Sequence, residues 1–236
     1  MKKYILTLIL VSVTLSMSNA QDLNGAWEAT LNNDEGVAVQ YVTIVSDGFF
    51  SEAFFEKENG KFIGTKGGSF SSDNGMLTYT LEFASFDSDM VGSTNSFPYS
   101  FKDGKLHVGE KIWSRVDDGT PGDLQGAWLI SGRKQDGEVI KRDISGPRKT
   151  MKILSGTRFQ WIAYNIETKA FMGTGGGTYT TANGKYTEHI GFFSRDDSRV
   201  GASLEFNFEL KDGDWHHSGF SSKGQPIYEV WSIRKE

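Results

Sequence analysis

One stretch of the sequence combines several residue types that could do chemistry. It reads GTGGGTYTTANGKYTEHIGFF, begins at Gly173, and places Glu188 directly before His189. A glycine run can cradle a phosphate when a helix follows it, and a carboxylate beside an imidazole can transfer protons or bind a metal ion. Glycines also mark bends and bulges within β-strands. Since β-type sequence flanks the three glycines on both sides, we expect a strand bulge there.

Strand periodicity decides whether Glu188 and His189 could act on one substrate. Successive side chains of a β-strand point to opposite faces, and an internal repeat described below puts Tyr186, Glu188, Ile190 and Phe192 inward. His189 should then point outward. A carboxylate inside an apolar barrel is either paired structurally, in contact with a ligand, or used as a general acid or base. The sequence leaves these three roles of Glu188 open.

Other side chains could complete a ligand site. The segment RFQWIAYN carries aromatic side chains with a polar tip, which suit a small amphipathic or sugar-like ligand. The candidate ligand-binding residues are Trp161, Tyr164, Tyr186, Glu188 and Phe206. The adjacent His216 and His217 would point to opposite faces of a strand, so that at most one of them could serve a site. We expect no metal site and no cofactor.

The elements that must position these residues occur twice in the chain. DLNGAWEATL at residue 22 recurs as DLQGAWLISG at residue 123, and KIWSRV at residue 111 recurs as EVWSIR at residue 229. Residues 67–104 align without a gap on residues 176–213, with 14 of 38 pairs identical, far above the two or three that chance gives. The second copy carries an eight-residue insertion near QDGEVIKRDISGPRK. We expect repeats at residues 22–117 and 122–236, joined by VDDGTPGD.

Each copy has the pattern of an antiparallel β-structure. Eight strands are expected in the second copy, at residues 127–131, 139–143, 150–154, 158–165, 170–180, 185–194, 202–211 and 227–234. Asn-Gly and Asp-Gly pairs supply tight turns. The sequence therefore predicts an all-β protein made of two tandem antiparallel up-and-down barrels. Eight strands leave an interior that side chains fill or that one small ligand occupies.

A Gly-x-Trp motif opens each copy, and an arginine follows the closing Trp-Ser, as Arg115 and Arg234. These features resemble the lipocalin-like barrels of the calycin superfamily, and GGGTYTTANGKYTEHIGFF resembles domains of unknown function in exported proteins of Bacteroidetes-type bacteria. The resemblance implies that the first-strand tryptophan packs across the barrel floor near the terminal arginine. It also implies ligand binding, without naming a ligand.

The N-terminus indicates export. Lys2 and Lys3 precede an apolar run that ends in Ser18-Asn19-Ala20, as in a cleavable signal peptide over residues 1–20. The run is too short to span a bilayer, and no cysteine is present for a lipid anchor. We therefore expect a secreted or periplasmic protein without an integral membrane segment after cleavage.

Composition and charge narrow the function. Cleavage would move the formal net charge from −5 to −7, and an acidic chain without a basic stripe is a poor partner for nucleic acid. The expected function is binding of a small molecule in the C-terminal barrel. The alternative is a lyase, isomerase or hydrolase acting on a carbohydrate or lipid-like substrate, with Glu188 as acid/base and Tyr186 or Tyr164 assisting.

Overall fold

The protein is all-β and forms two closed eight-stranded antiparallel barrels in tandem. The computed structural model describes residues 23–120, 122–221 and 224–235, so that the expected signal peptide lies outside the described residues. The first barrel closes where β1 pairs with β8, and its strands are β1 (Gly25–Asn32), β2 (Ala38–Ser46), β3 (Phe49–Glu56), β4 (Phe62–Asp73), β5 (Met76–Ala84), β6 (Thr94–Lys102), β7 (Lys105–Val108) and β8 (Lys111–Asp117).

The second barrel repeats this order and closes where β9 pairs with β17. Its chain segment contains β9 (Gly126–Gln135), β10 (Glu138–Lys141), β11 (Arg148–Leu154), β12 (Arg158–Asn165), β13 (Ala170–Ala182), β14 (Lys185–Phe193), β15 (Ser203–Lys211), β16 (Asp214–Phe220) and β17 (Pro226–Ile233). Short 3-10 turns at Ser88–Met90 and Asp197–Arg199 follow β5 and β14. Within the described part of the chain, no helix is long and apolar enough to cross a membrane.

The predicted number of eight strands for the second barrel is right, but the set of strands is wrong. The insertion forms β10, which pairs only with the outer end of β9 and adds a ninth strand to the sheet. The eighth barrel strand is β16, which is absent from the eight expected strands although His216 and His217 were expected to lie on a strand. WHHSGF lacks the long apolar alternation of its neighbours, and β16 forms because it completes the hydrogen bonding between β15 and β17.

Tight turns and register shifts shape the strands, and each barrel has one such shift at a pair of adjacent glycines. Asn74-Gly75 and Asn183-Gly184 have positive φ at both residues, which is the type I′ geometry that suits two-residue hairpins. The register of β13 against β14 shifts between Gly176 and Gly177, where an added Cβ would lie 2.0 Å from a backbone oxygen. The first barrel shifts at the matching glycines of β4. The expectation of a strand bulge is confirmed.

The bulge corrects the predicted face of Phe192. The pairing skips Gly191, so that the alternation reverses there. Ile190 still packs in the interior of the second barrel, whereas Phe192 stacks on Phe55 and Phe62 of the first barrel. Strict alternation therefore fails for the last two residues of β14, because one residue is left out of the ladder.

The tryptophan and arginine of the lipocalin resemblance meet in the first barrel. The Arg115 guanidinium lies 4.2 Å from the Trp27 ring and donates to the Asn24 carbonyl oxygen at 3.0 Å. In the second barrel the position opposite Trp128 is Ile233, the last residue of β17, and Arg234 follows it in the chain. Arg234 therefore points to the opposite face. The expectation of a floor arginine holds for Arg115 and is wrong for Arg234.

Candidate functional site

The interior of the second barrel holds the predicted carboxylate. Glu188 on β14 is buried and points inward, and the Lys152 ammonium of β11 donates to its Oε1 at 2.8 Å. Both side chains are less than a tenth exposed. Strand alternation therefore places Glu188 as predicted, and its partner is a lysine that the sequence analysis did not identify. A buried carboxylate already bound by a buried ammonium is a structural ion pair rather than a free acid or base.

Aromatic rings surround the Lys152 ammonium. Its Nζ lies 5.0 Å from the Tyr186 ring, 4.9 Å from Trp215, 5.3 Å from Trp231 and 5.9 Å from Phe206. These distances lie within the range of cation–π attraction. The predicted ligand-binding residues Tyr186 and Phe206 therefore line the interior, where they enclose a side chain of the protein itself. Burial raises the pKa of Tyr186 well above its ordinary value, so that its hydroxyl stays protonated.

A second polar pair lies beside this cage. His217 on β16 is buried, and its Nδ1 lies 3.5 Å from Oε2 of Glu229 on β17. Burial, and next the positive charge of Lys152, lower the pKa of His217, so that the ring is neutral at pH 7. Burial acts to raise the pKa of Glu229, but the His217 ring and Lys152 outweigh it and leave the pKa below its usual value.

Large side chains fill the space around these pairs. Trp215 and Tyr186 are fully buried, and Trp161 on β12 packs against the same cluster, in contact with the Phe193 ring. Trp161 is therefore on the inward face, as predicted. The interior of this barrel is packed with its own side chains, which is the filled variant of an eight-stranded barrel.

Tyr164 is the one candidate that the structure places elsewhere. It lies three residues after Trp161 on the same strand and therefore faces outward, where it is fully buried between the two barrels. Its hydroxyl donates to Glu82 Oε2 of the first barrel at 2.6 Å and accepts from Arg234 at 3.0 Å. Arg234 also contacts Glu82 Oε1 at 2.6 Å. Assigning Tyr164 to the pocket was wrong, because an odd spacing along a strand changes the face.

The outward histidines make local contacts. His189 Nδ1 lies 2.8 Å from Ser203 Oγ, and His216 Nδ1 lies 2.8 Å from the Tyr228 hydroxyl. His189 also borders a groove of about 380 Å³ between the barrels, together with Arg158. Arg158 is held there by Glu28, at 2.6 Å from Oε1. Glu188 and His189 therefore face different surroundings, as their strand positions predict.

The interior of the first barrel contains a cavity of about 370 Å³. Its walls are mainly aromatic and aliphatic, with Trp27, Phe50, Phe70, Tyr79 and Trp113 among the lining side chains. The volume lies in the range of small-molecule sites, which are mostly apolar with a few placed polar groups. This cavity lies in the N-terminal barrel, whereas the sequence led us to expect a pocket in the C-terminal barrel.

Three charged side chains converge on this cavity. Glu52 of β3 is buried, and its Oε1 lies 3.1 Å from Lys111 Nζ of β8 and 3.7 Å from Lys66 Nζ of β4. Thr43 donates to the other carboxylate oxygen at 3.4 Å. The Lys111 ammonium also lies 3.9 Å from the Tyr41 ring.

Burial shifts the pKa values of two side chains in this charged cluster, Lys111 and Tyr41. It lowers the pKa of Lys111, while Glu52 acts in the opposite direction, and it raises the pKa of Tyr41, with Glu52 adding to that rise. The arrangement offers a ligand two ammonium groups and one carboxylate within an apolar wall. Such a site can bind a polar head group and an apolar body together.

A signal for this site was present in the sequence. FFSEAFFE places Glu52 between Phe50 and Phe54 on one strand face, the same pattern that singled out Glu188. The candidate residues were instead chosen in the second copy, where Trp161 stands in place of Glu52. Those larger side chains fill the second barrel and do not open it.

A protein-family model matches the C-terminal part of the chain. Residues 123–234, which contain the second barrel, match the family described as "Domain of unknown function (DUF4488)". The comparison with curated proteins finds no match. The matching family and the two closed antiparallel barrels fit a lipocalin-like fold.

Proposed function

We propose that the chain is an exported binding protein whose first barrel encloses a small amphipathic molecule. The cavity of about 370 Å³ in that barrel carries the proposal. It combines apolar walls with charged groups at one place, which orients a ligand that has one polar end. Export rests on the signal-like N-terminal sequence, and membership of the calycin superfamily rests on the Gly-x-Trp motifs and the Trp27–Arg115 contact. The Bacteroidetes-type branch rests on the resemblance of the stretch GGGTYTTANGKYTEHIGFF.

The two barrels differ in side-chain size at an interior position, and this difference changes the free volume inside each barrel. Leu106 pairs with Trp113 in the first barrel, and Trp215 pairs with Trp231 at the matching position of the second. The first barrel therefore has a leucine where the second has an indole. This difference supports binding in the first barrel and a structural role for the second.

The alternative of catalysis by Glu188 has little support from the geometry. Glu188 is held by Lys152 at 2.8 Å, and Tyr164, one of the two tyrosines considered as assistants, lies outside the barrel. A general acid or base must reach the substrate proton, and the packed interior around Glu188 is occupied by Tyr186 and Trp215.

Thermal unfolding with small amphiphiles tests the binding proposal. We expect decanoate or 1-decanol to raise the melting temperature of the mature protein, since a ligand that binds only the folded state stabilises it. A Leu106→Trp variant, which carries the residue of the second barrel, should fill the cavity and remove that shift. Ile112→Trp, at an exposed position of β8, is the control for adding an indole and should keep the shift.

Two results would overturn the proposal. The first is the absence of any shift with either amphiphile across a concentration series up to millimolar. The second is an unchanged shift in a folded Leu106→Trp variant, because a ligand that still binds with the cavity filled must bind elsewhere.

A further inference from the structure

The two barrel interiors can be compared position by position through their strand pairings. Equivalent positions are those that pair with equivalent partners, such as Thr43 and Lys152, which lie opposite Trp27 and Trp128. The interior differences that add or remove a charged side chain are Thr43 to Lys152, Glu52 to Trp161, Lys66 to Gly175, Tyr79 to Glu188 and Lys111 to Glu229.

The second barrel balances its internal charge with its own side chains. Lys152 is paired with Glu188 at 2.8 Å, and Glu229 is in contact with His217 at 3.5 Å and with Arg133 at 3.3 Å. Lys152, Glu188 and Glu229 thus each have a partner of the opposite charge. This is the usual state of ionic groups in a folded interior, since an unpaired buried charge is costly.

The charged side chains inside the first barrel are not paired one to one. Lys66 and Lys111 both contact the same oxygen of Glu52, and within the described residues neither lysine has another carboxylate in ion-pair contact. Glu110 borders the cavity but is exposed on the turn before β8. The interior therefore holds two ammonium groups against one carboxylate, next to a volume that the protein leaves unfilled.

We infer that the ligand of the first barrel is an apolar monocarboxylate whose head group binds between Lys66 and Lys111. Its single negative charge supplies the missing partner, and its hydrocarbon body packs against rings such as Phe50 and Phe70. A phosphate monoester carries about −1.5 to −2 at pH 7 and would overcompensate the one surplus charge. This inference rests on the proposed function, because it names the ligand class of the same cavity.

Calorimetric titration with decanoate and 1-decanol at pH 8 tests the head group, because the two probes share an alkyl chain and differ in charge. We expect decanoate to bind on the order of tenfold more tightly than decanol, as one charge-assisted contact gives. Lys111→Met and Lys66→Met should each remove most of this preference and leave decanol binding in place. Lys105→Met, at an exposed position of β7, is the control for loss of one positive charge.

A Glu52→Gln variant tests whether Glu52 and the ligand carboxylate compete for the same two lysines. It removes the carboxylate that competes for both lysines, so that decanoate should bind several-fold more tightly while decanol binding stays the same. Circular dichroism confirms folding of each variant, and the two lysine variants serve as alternatives if one fails to fold. Decyl phosphate, as a third probe, should bind more weakly than decanoate.

The possible failures can be told apart. If neither decanoate nor decanol binds, the proposed function itself is wrong. If decanol binds as tightly as decanoate, or if Glu52→Gln weakens decanoate binding, the cavity is a ligand site but not one for carboxylates. Tighter binding of decyl phosphate than of decanoate would contradict the assignment to a monoanion.

Discussion

Removal of the Glu188 carboxylate separates a structural from a functional role for this residue. The change is Glu188→Gln, which keeps the size and removes the charge that balances Lys152. Breaking a buried ion pair typically costs about 3–5 kcal/mol, because the remaining charge stays buried. The Lys152 ammonium keeps its contacts with the rings of Tyr186 and Trp215, and these cation–π contacts offset part of the lost free energy. We therefore expect a loss near the lower bound, about 3 kcal/mol.

Urea unfolding followed by circular dichroism measures this loss. For a chain of 150–250 residues, about 3 kcal/mol corresponds to a melting temperature lower by roughly 6–12 °C. Glu205→Gln on β15 is the matched control, since its pair with Lys185 is exposed and should contribute less than about 1 kcal/mol. A Glu188→Gln/Lys152→Met double variant should recover part of the loss, because it leaves no unpaired charge.

Two outcomes would refute this assignment. Equal, small losses for Glu188→Gln and Glu205→Gln would mean that the buried pair contributes no more than an exposed one. A Glu188→Gln variant with normal stability and altered ligand binding would give the carboxylate a functional role. Either result would reopen the second barrel as a ligand or catalytic site.

Three further predictions concern the barrel contacts and pH. Asp117→Asn should cost about 1–3 kcal/mol in urea unfolding at pH 7, because its carboxylate accepts from Thr157 and neighbouring backbone amides. Burial acts to raise the Asp117 pKa but these bonds lower it overall, so the difference from wild type should vanish as the pH falls through that lowered pKa; a constant difference down to pH 2 would contradict this. Arg234→Met should cost about 2–4 kcal/mol, since it leaves Glu82 without its ion pair between the barrels, and calorimetry showing unchanged unfolding would argue against it. Because the pKa of His217 is lowered in the folded protein, the unfolded chain binds the proton more tightly than the folded one. The contribution of the neutral His217 ring to stability is therefore complete above pH 6.5 and is lost as the pH falls below 6.5. Between pH 7.5 and 5.5 His217→Gln should therefore lose less stability than wild type, and equal losses would contradict it.

The sequence was informative wherever the two copies could be compared. The duplication, the all-β class and the Asn-Gly turns followed from local patterns that each copy repeats. Alternation also placed Tyr186 and Glu188 inward, because a strand without irregularity has a strict period of two. It failed at Phe192, where the bulge at Gly191 reverses the faces. The glycines indicated a bulge, but they did not specify which residue would leave the ladder.

Contacts between the barrels were beyond the reach of sequence patterns. Tyr164 and Arg234 looked like pocket and floor residues, yet both meet Glu82 of the other barrel. No local sequence pattern distinguishes an outward residue that packs against a second barrel from one that is exposed to solvent. The location of the cavity depended on volume in the same way, because aromatic residues such as Trp161 can line a pocket or fill it.

Indole NMR of the six tryptophans most directly tests the claim that the first barrel holds the ligand. Each indole N–H gives one signal, which single Trp→Phe variants assign. On titration with decanoate, we expect the signals of Trp27 and Trp113, which line the cavity, to shift. Those of Trp215 and Trp231 in the packed second barrel should stay in place. Shifts confined to Trp215 and Trp231 would contradict the account and return the ligand site to the second barrel.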